Sequence, residues 1–115
     1  MSITRINPDA RWSDAVIHNN TLYYTSVPEN LDDDALAQTE NALASLDAIL
    51  QQAGSDKSRL LDVTIFLADK ADFAAMNAAW DAWVVAGSAP VRCTVEAKLM
   101  NPKFKVEIKA IAAVG

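Results

Sequence analysis

Two residues in this chain of 115 stand alone in their type, and each could do chemistry: Cys93 and His18. One cysteine allows no intrachain disulfide, and no cysteine-based metal site can form from a single chain. A histidine zinc site or a serine–histidine–aspartate triad would have to use His18. That residue lies in His18-Asn19-Asn20, which reads as a turn between two short strands rather than a ligand or a catalytic base. The other candidates are charged. From Arg92 to Leu99, Cys93, Val95, Ala97 and Leu99 alternate with Arg92, Thr94, Glu96 and Lys98. Further on, Val106, Ile108, Ala110 and Ala112 alternate with Lys105, Glu107, Lys109 and Ile111. A guanidinium on such a strand can grip a carboxylate through two parallel hydrogen bonds, and it stays charged at any working pH. A glutamate there can direct water or relay a proton. The plainer alternative is a surface ion pair of Arg92 with Glu96 or Glu107.

Those two alternating segments flank Asn101-Pro102, and so predict an antiparallel hairpin. Its apolar face needs helices to cover it, which would make Cys93 an inert core thiol opposite the charged face. Upstream, Ser13 to Ile17 and Thr21 to Ser26 predict a hairpin around Asn19-Asn20, since asparagine tolerates positive φ. Asp32 to Asp34 offer a cap for a helix running to about Gln52, with Leu36, Leu43, Leu46, Ile49 and Leu50 as its buried stripe and Gly54 as its stop. Leu61, Val63, Ile65 and Leu67 alternate with Asp62, Thr64 and Phe66, a strand expected at the centre of the sheet. Asp69 or Asp72 caps a second helix whose stripe is Phe73, Met76, Trp80, Trp83 and Val84, ended by Gly87 and Pro90. At that spacing the tryptophans read as core rather than as ligand platforms.

Composition narrows the classes. The length suits one domain, residues 1–115, and 51% hydrophobic residues suffice for one packed core. No uninterrupted apolar run could span a bilayer. Met1 to Trp12 carry no apolar signal region, so the expectation is a soluble, cytoplasmic protein. A net charge of −5 argues against binding nucleic acid through phosphates. Lys98, Lys103, Lys105 and Lys109 cluster near the C-terminus and read as solvated strand faces. Thr94 and Ile111 are unusual on a solvent face, which suggests that one sheet face meets another subunit.

Several segments resemble the RidA/YjgF (RutC) family. Ala89-Pro90-Val91-Arg92-Cys93-Thr94-Val95 and Val106 to Ala112 are similar to its C-terminal signature. Gln38-Thr39 with Ala42-Leu43 resembles its first helix, and Ala53-Gly54 with Asp62 to Leu67 the strand after it. Phe73, Asn77 and Trp80 follow its second-helix pattern, and Arg11 to Asp14 with Ala89 to Lys109 look closest to its YoaB branch. The resemblance implies an α+β, chorismate-mutase-like (YjgF-type) mixed sheet with two helices packed on one face. It also implies a homotrimer with clefts between subunits, and cofactor-free, metal-free hydrolysis of reactive enamines and imines to 2-keto acids and ammonia.

Carried over residue by residue, the resemblance makes Arg92 the binder of the substrate carboxylate and Glu107 the group that orients water. Thr94 stands where the family has its site cysteine. Thr25-Ser26-Val27 replaces the usual Ser-Gly-Gln, with Thr25 as the replacement hydroxyl. Asn77 and Trp12 complete the expected substrate-binding set, Trp12 in place of an early tyrosine. In a simple hairpin Glu107 lies opposite residue 96, leaving Arg92 roughly 13 Å away along the strand. A neighbouring subunit, a bridging water or a bulge would have to close that gap. The competing reading is a trimer that binds small carboxylates or keto acids without turning them over. A ribonuclease is a third, weakened by the acidic charge and the lack of a histidine acid/base. No nucleic-acid or membrane partner is expected.

Overall fold

Asn19 and Asn20 both take left-handed backbone angles, φ 52° and 57°, and close the first hairpin as expected. It joins β2 (Ala15–His18) to β3 (Thr21–Ser26). His18 is the last strand residue, and its Nδ1 lies 3.2 Å from the Ser2 carbonyl. A computed structural model describes residues 2–115. It adds β1 (Thr4–Ile6), antiparallel to β2, where the polar sequence gave no strand signal.

α1 (Ala35–Gln52) begins where the aspartates predict: the Asp34 carboxylate accepts from the Ala37 amide at 2.9 Å. It ends at Gly54, φ 74°, with the Ser55 amide donating back to the Leu50 carbonyl at 2.8 Å. Its buried side includes Gln38, Thr39, Ala42, Leu43, Leu46, Ile49 and Leu50. Leu36 is exposed instead, because the buried side begins at Ala35 and continues through Gln38 and Thr39. Gln38 is a buried polar hub: its Nε2 donates to the carbonyls of Leu31, Asp33 and Lys103, and its Oε1 accepts from the Lys105 amide at 2.8 Å.

β4 (Leu60–Leu67) is an interior strand, paired on both sides, but it lies next to the sheet edge rather than at the centre its sequence suggests. A bulge between Leu60 and Asp62 turns Leu61 outward, so Leu60 rather than Leu61 joins Val63, Ile65 and Leu67 in the core. α2 (Phe73–Trp83) follows a 3₁₀ turn, Lys70–Asp72, capped by Asp69; Asp72 makes no side-chain cap. Met76 and Trp80 are buried, whereas Phe73 is exposed.

The last quarter departs from expectation. β5 (Val91–Glu96) and β6 (Val106–Ala113) do not form a hairpin. The sheet order is β1-β2-β3-β6-β4-β5, with β6 antiparallel to both β3 and β4 and β5 parallel to β4 at the edge. β4–α2–β5 is therefore a strand–helix–strand unit, as parallel neighbours require, while β3–α1–β4 links two strands that run the same way on either side of β6. The result is a mixed sheet with both helices on one face. The core lies between, built from Leu43, Leu46, Met76, Val63, Ile65, Ile108 and their neighbours. Among the described residues, no helix is long and apolar enough to cross a membrane.

The parallel register also inverts the faces expected of β5. Arg92 pairs with Val63, Thr94 with Ile65 and Glu96 with Leu67, so these three share the helix-covered face. Cys93 pairs with Thr64 and Val95 with Phe66 on the open face. Cys93 is thus exposed rather than a core thiol, with its Sγ 3.7 Å from Thr64 Oγ1. The strand also ends at Glu96, not Leu99.

Candidate functional site

At the edge of the sheet, β5 runs past α2, and its helix-side row carries Arg92 and then Thr94. The Arg92 guanidinium lies over the Trp80 ring, 5.3 Å from its centroid, and one of its nitrogens is 3.8 Å from the Met76 sulfur. An indole face attracts a cation by about 0.5 to 2 kcal/mol, depending on desolvation. It uses none of the in-plane N–H donors. Among the described residues, no Asp or Glu carboxylate lies within ion-pair distance of Arg92; the one ion pair is Lys103 with Asp32, 3.5 Å apart at the surface. The proposed surface pairing with Glu96 or Glu107 is therefore absent. Arg92 is half-buried, held in place, and has donors to spare.

Thr94 adds a second unsatisfied group. Its Oγ1 is buried and has no hydrogen-bond partner. An orphaned buried hydroxyl costs about 1–3 kcal/mol, which a ligand atom could relieve. Thr94 opens into a cleft of about 230 Å³ shared with Leu67, Lys70, Phe73 and Glu96. The Glu96 carboxylate is not free there: it accepts from the Lys70 amide at 2.8 Å and ties the strand to the turn before α2. On α2, Phe73, Asn77 and Trp80 fall at i, i+4 and i+7, one side of the helix. Phe73 lines the cleft and Trp80 carries Arg92, so Asn77 is placed between them.

The other expected residues lie elsewhere. Glu107 pairs with Phe66, so it belongs to the open face of the sheet. Thr25 pairs with Lys109, in a row that continues through Thr64 to Cys93 on that same face. Its neighbour Ser26 is buried, its Oγ donating to the Ala42 carbonyl at 2.7 Å, which leaves Thr25 as the exposed hydroxyl. Trp12 is exposed in the β1–β2 loop, toward the opposite sheet edge, its amide held by Asp9 Oδ1 at 2.9 Å. One chain thus brings together Arg92, Thr94 and Asn77, and separately Glu107 and Thr25. Arg92 and Glu107 are two strands and three residues apart, roughly 14 Å between Cα atoms. This resembles the gap expected from a hairpin, but the sheet itself stands between the two side chains.

The open face bears apolar groups that water alone does not favour: Val91 is 74% exposed, Tyr23 44% and Val95 42%. Val95 shares the row of Glu107 through Phe66, and Tyr23 is two residues from Thr25 on β3. Trp80 and Met76 as the support for Arg92 went unread in the sequence. The signal was present, since residues 76 and 80 share a helix side that a following parallel strand must cross. Among the described residues, no group of three His, Cys, Asp or Glu side chains could hold a metal ion.

The family model described as Endoribonuclease L-PSP matches residues 2–114. The RutC family protein YoaB of Escherichia coli (strain K12) is 74% identical over 114 residues, covering 99% of this chain and 100% of that protein. NMB1025 of Neisseria meningitidis, a solved member of the YjgF protein family, superposes with a TM-score of 0.93 at 42% identity, covering 100% of this chain and 97% of that one. Reactive Intermediate Deaminase A, chloroplastic, of Arabidopsis thaliana is 32% identical over 108 residues, 88% of this chain and 57% of that protein.

Proposed function

Because the chain belongs to the endoribonuclease L-PSP family, in its RidA/YjgF (RutC) lineage and YoaB branch, we propose that it hydrolyses small 2-imino acids at a site completed by a second copy of itself. The observation that carries this reading is Arg92, half-buried on Trp80 and Met76 with no acidic partner, beside the orphaned hydroxyl of Thr94. Arg92 takes the substrate carboxylate. Thr94 Oγ1 meets the imine nitrogen. Water attacks C2, the C=N bond becomes a single C–N bond, and a proton moves to nitrogen. Ammonia then leaves as the C=O bond of the 2-keto acid forms. Glu107 holds the attacking water and receives its proton. A 2-imino acid is intrinsically reactive, so placing water and fixing the carboxylate supply the modest acceleration needed.

Glu107 and Thr25 face away from Arg92 in their own chain, so a neighbouring copy presents them. The apolar groups on that face suit burial between subunits, and a homotrimer closes such a contact with each copy giving one face and one edge. Trp12, in its exposed loop, and Asn77, beside Arg92, line the same composite cleft.

The test generates 2-iminopropanoate and 2-iminobutanoate in place with an amino-acid oxidase, in the presence of semicarbazide. The protein should divert the imine from the trap and speed keto-acid release. Unchanged semicarbazone yield would leave the alternative, a trimer that binds small carboxylates without turnover. The exchange of Ser-Gly-Gln for Thr25-Ser26-Val27 favours that alternative: Ser26 is already committed to the Ala42 carbonyl, so the segment offers Thr25 alone as a wall hydroxyl. RNA cleavage fits least well, with a net charge of −5 and the one histidine at the end of β2, away from Arg92.

A further inference from the structure

Between α1 and α2 the fold leaves a hollow of about 210 Å³, open to solvent where Glu40 and Ala82 are exposed. Glu40 and Leu43 line it from α1, Ala79, Ala82 and Trp83 from α2, and Lys57 from the 3₁₀ turn Lys57–Arg59. It stays open because α2 offers only methyl groups at residues 79 and 82, too short to fill the space against α1. It shares no lining residue with the cleft beside Thr94, so its occupant does not depend on the imino-acid reading. We propose that this hollow binds a free aliphatic α-amino acid in its zwitterionic form.

The two charges on the hollow are opposite and unpaired. Among the described residues the one ion pair is that of Lys103 with Asp32, so Glu40 and Lys57 border one space without closing on each other. The nearby acids are already committed: Asp47 accepts from Trp83 Nε1 at 2.8 Å, and Asp56 accepts from the Ser58 amide at 2.8 Å. The Lys57 ammonium rests on the Trp83 ring, 5.2 Å from its centroid. The ring takes one side of the cation and leaves N–H donors for a ligand. Trp83 is itself fixed, by Asp47 and by the Trp80 ring, whose centroid is 5.6 Å away. The wall and the cation are thus in place before a ligand arrives.

These groups select by charge. A carboxylate alone gains Lys57 but meets Glu40, and an amine alone gains Glu40 but meets Lys57. A molecule carrying both charges satisfies both. Leu43, Ala79 and Ala82 add an apolar wall for a short aliphatic side chain. At about 30 Å³ per water, the volume equals about seven waters, which admits an amino acid and is too small for a nucleotide.

Titration of the full-length protein, followed by NMR of the indole N–H groups, tests this. The chain has three tryptophans, and Trp83→Phe identifies the signal of Trp83. L-Leucine should move that signal with a Kd of about 1 mM and leave the signal of Trp12 in place. 4-Methylpentanoate lacks the ammonium and 3-methylbutylamine lacks the carboxylate; each should bind about tenfold more weakly or worse. Lys57→Gln and Glu40→Gln should each weaken leucine by about tenfold. Ala82→Leu fills the hollow from an exposed position and should abolish the shift while the rest of the spectrum is kept. Arg92→Ala should leave leucine binding unchanged. A Trp83 signal unmoved at about 20 mM leucine, half-molecules that bind as well as leucine, or a shift that survives Ala82→Leu would overturn the assignment. Loss of the shift in Arg92→Ala would move leucine to the Arg92 cleft and overturn it as well.

Discussion

Arg92 and Glu107 project from opposite faces of one sheet, the first beneath α2 and the second onto the open side. No rotamer of either side chain carries it around the sheet. If both act on one substrate, they come from different copies. Arg92→Ala and Glu107→Gln should each lose about 100-fold or more in kcat/KM, because each removes a charged contact to substrate or water. Mixed one-to-one by refolding, the two variants should recover about a quarter of the wild-type rate, since a random mixture pairs an intact Arg92 with an intact Glu107 at one contact in four. A mixture no better than its parents would place both residues in the same site of the same chain.

Trp80 holds Arg92 from below and also fills the core. Trp80→Leu should raise KM for imino acids and Kd for keto acids by about tenfold, with a smaller change in kcat, as expected when the carboxylate anchor loses its platform. Trp80→Phe keeps an aromatic face and should restore most of the affinity. Equal affinity in all three proteins would show that the stacking does not position the guanidinium. Chemical denaturation should record about 2–4 kcal/mol lost in Trp80→Leu, from the unfilled volume.

The pattern of residues carried the elements further than their arrangement. The asparagine turn, the Asp34 cap and the Gly54 stop follow from local chemistry, and each is where the sequence places it; β4 is interior as its apolar run implies, though not at the centre. Alternation in β5 was visible too, yet its faces came out reversed. Alternation says that two faces differ; it does not say which neighbour sets the register. The pairing of Val63 with Arg92 decides that, and it arises from a crossover through α2 rather than a turn at Asn101. Polarity misled because an edge strand reaches past the cover of the helices: a guanidinium fits there, while Cys93 and Val95 look outward at a face that a single chain leaves bare. Arg92 and Glu107 were readable as candidates; their placement on two faces was not, because it depends on long-range pairing.

Gln38 ties α1 to two loops through four hydrogen bonds while buried itself. Gln38→Ala should cost about 3 kcal/mol or more, since it leaves the Lys105 amide and three carbonyls to find new partners in a closed space. Gln38→Glu keeps the shape but trades the donor for a charge, and should be no milder. The midpoint of urea unfolding measures both. A loss below 1 kcal/mol in each would mean that water replaces the side chain freely.

Tyr24 lies in the row of Arg92, three strands further in, packed against the core. Burial raises its phenol above the ordinary value, with Asp14 and Glu29 adding to the shift and Ser26 opposing it. The folded state therefore holds this proton more tightly than the unfolded chain. The stability it contributes is complete below about pH 10, the unfolded value, and is lost as pH rises toward the folded one. Above about pH 10, wild-type protein should lose stability with rising pH more steeply than Tyr24→Phe. Identical slopes would mean that the ring ionises without cost.

β6 lies in the middle of the sheet although it is the last strand of the chain, and both β3 and β4 depend on it for their pairing. During synthesis, therefore, the helices and the first hairpin can form early, but the sheet has no centre until residues 106–113 leave the ribosome. Until then β3 and β4 present bare hydrogen-bonding edges, open to pairing with other nascent chains. Folding becomes a late, all-at-once closure, slow for a chain of this size because its decisive contacts span the sequence. Loss of even a few residues from β6 should send the product to aggregates rather than to a looser monomer.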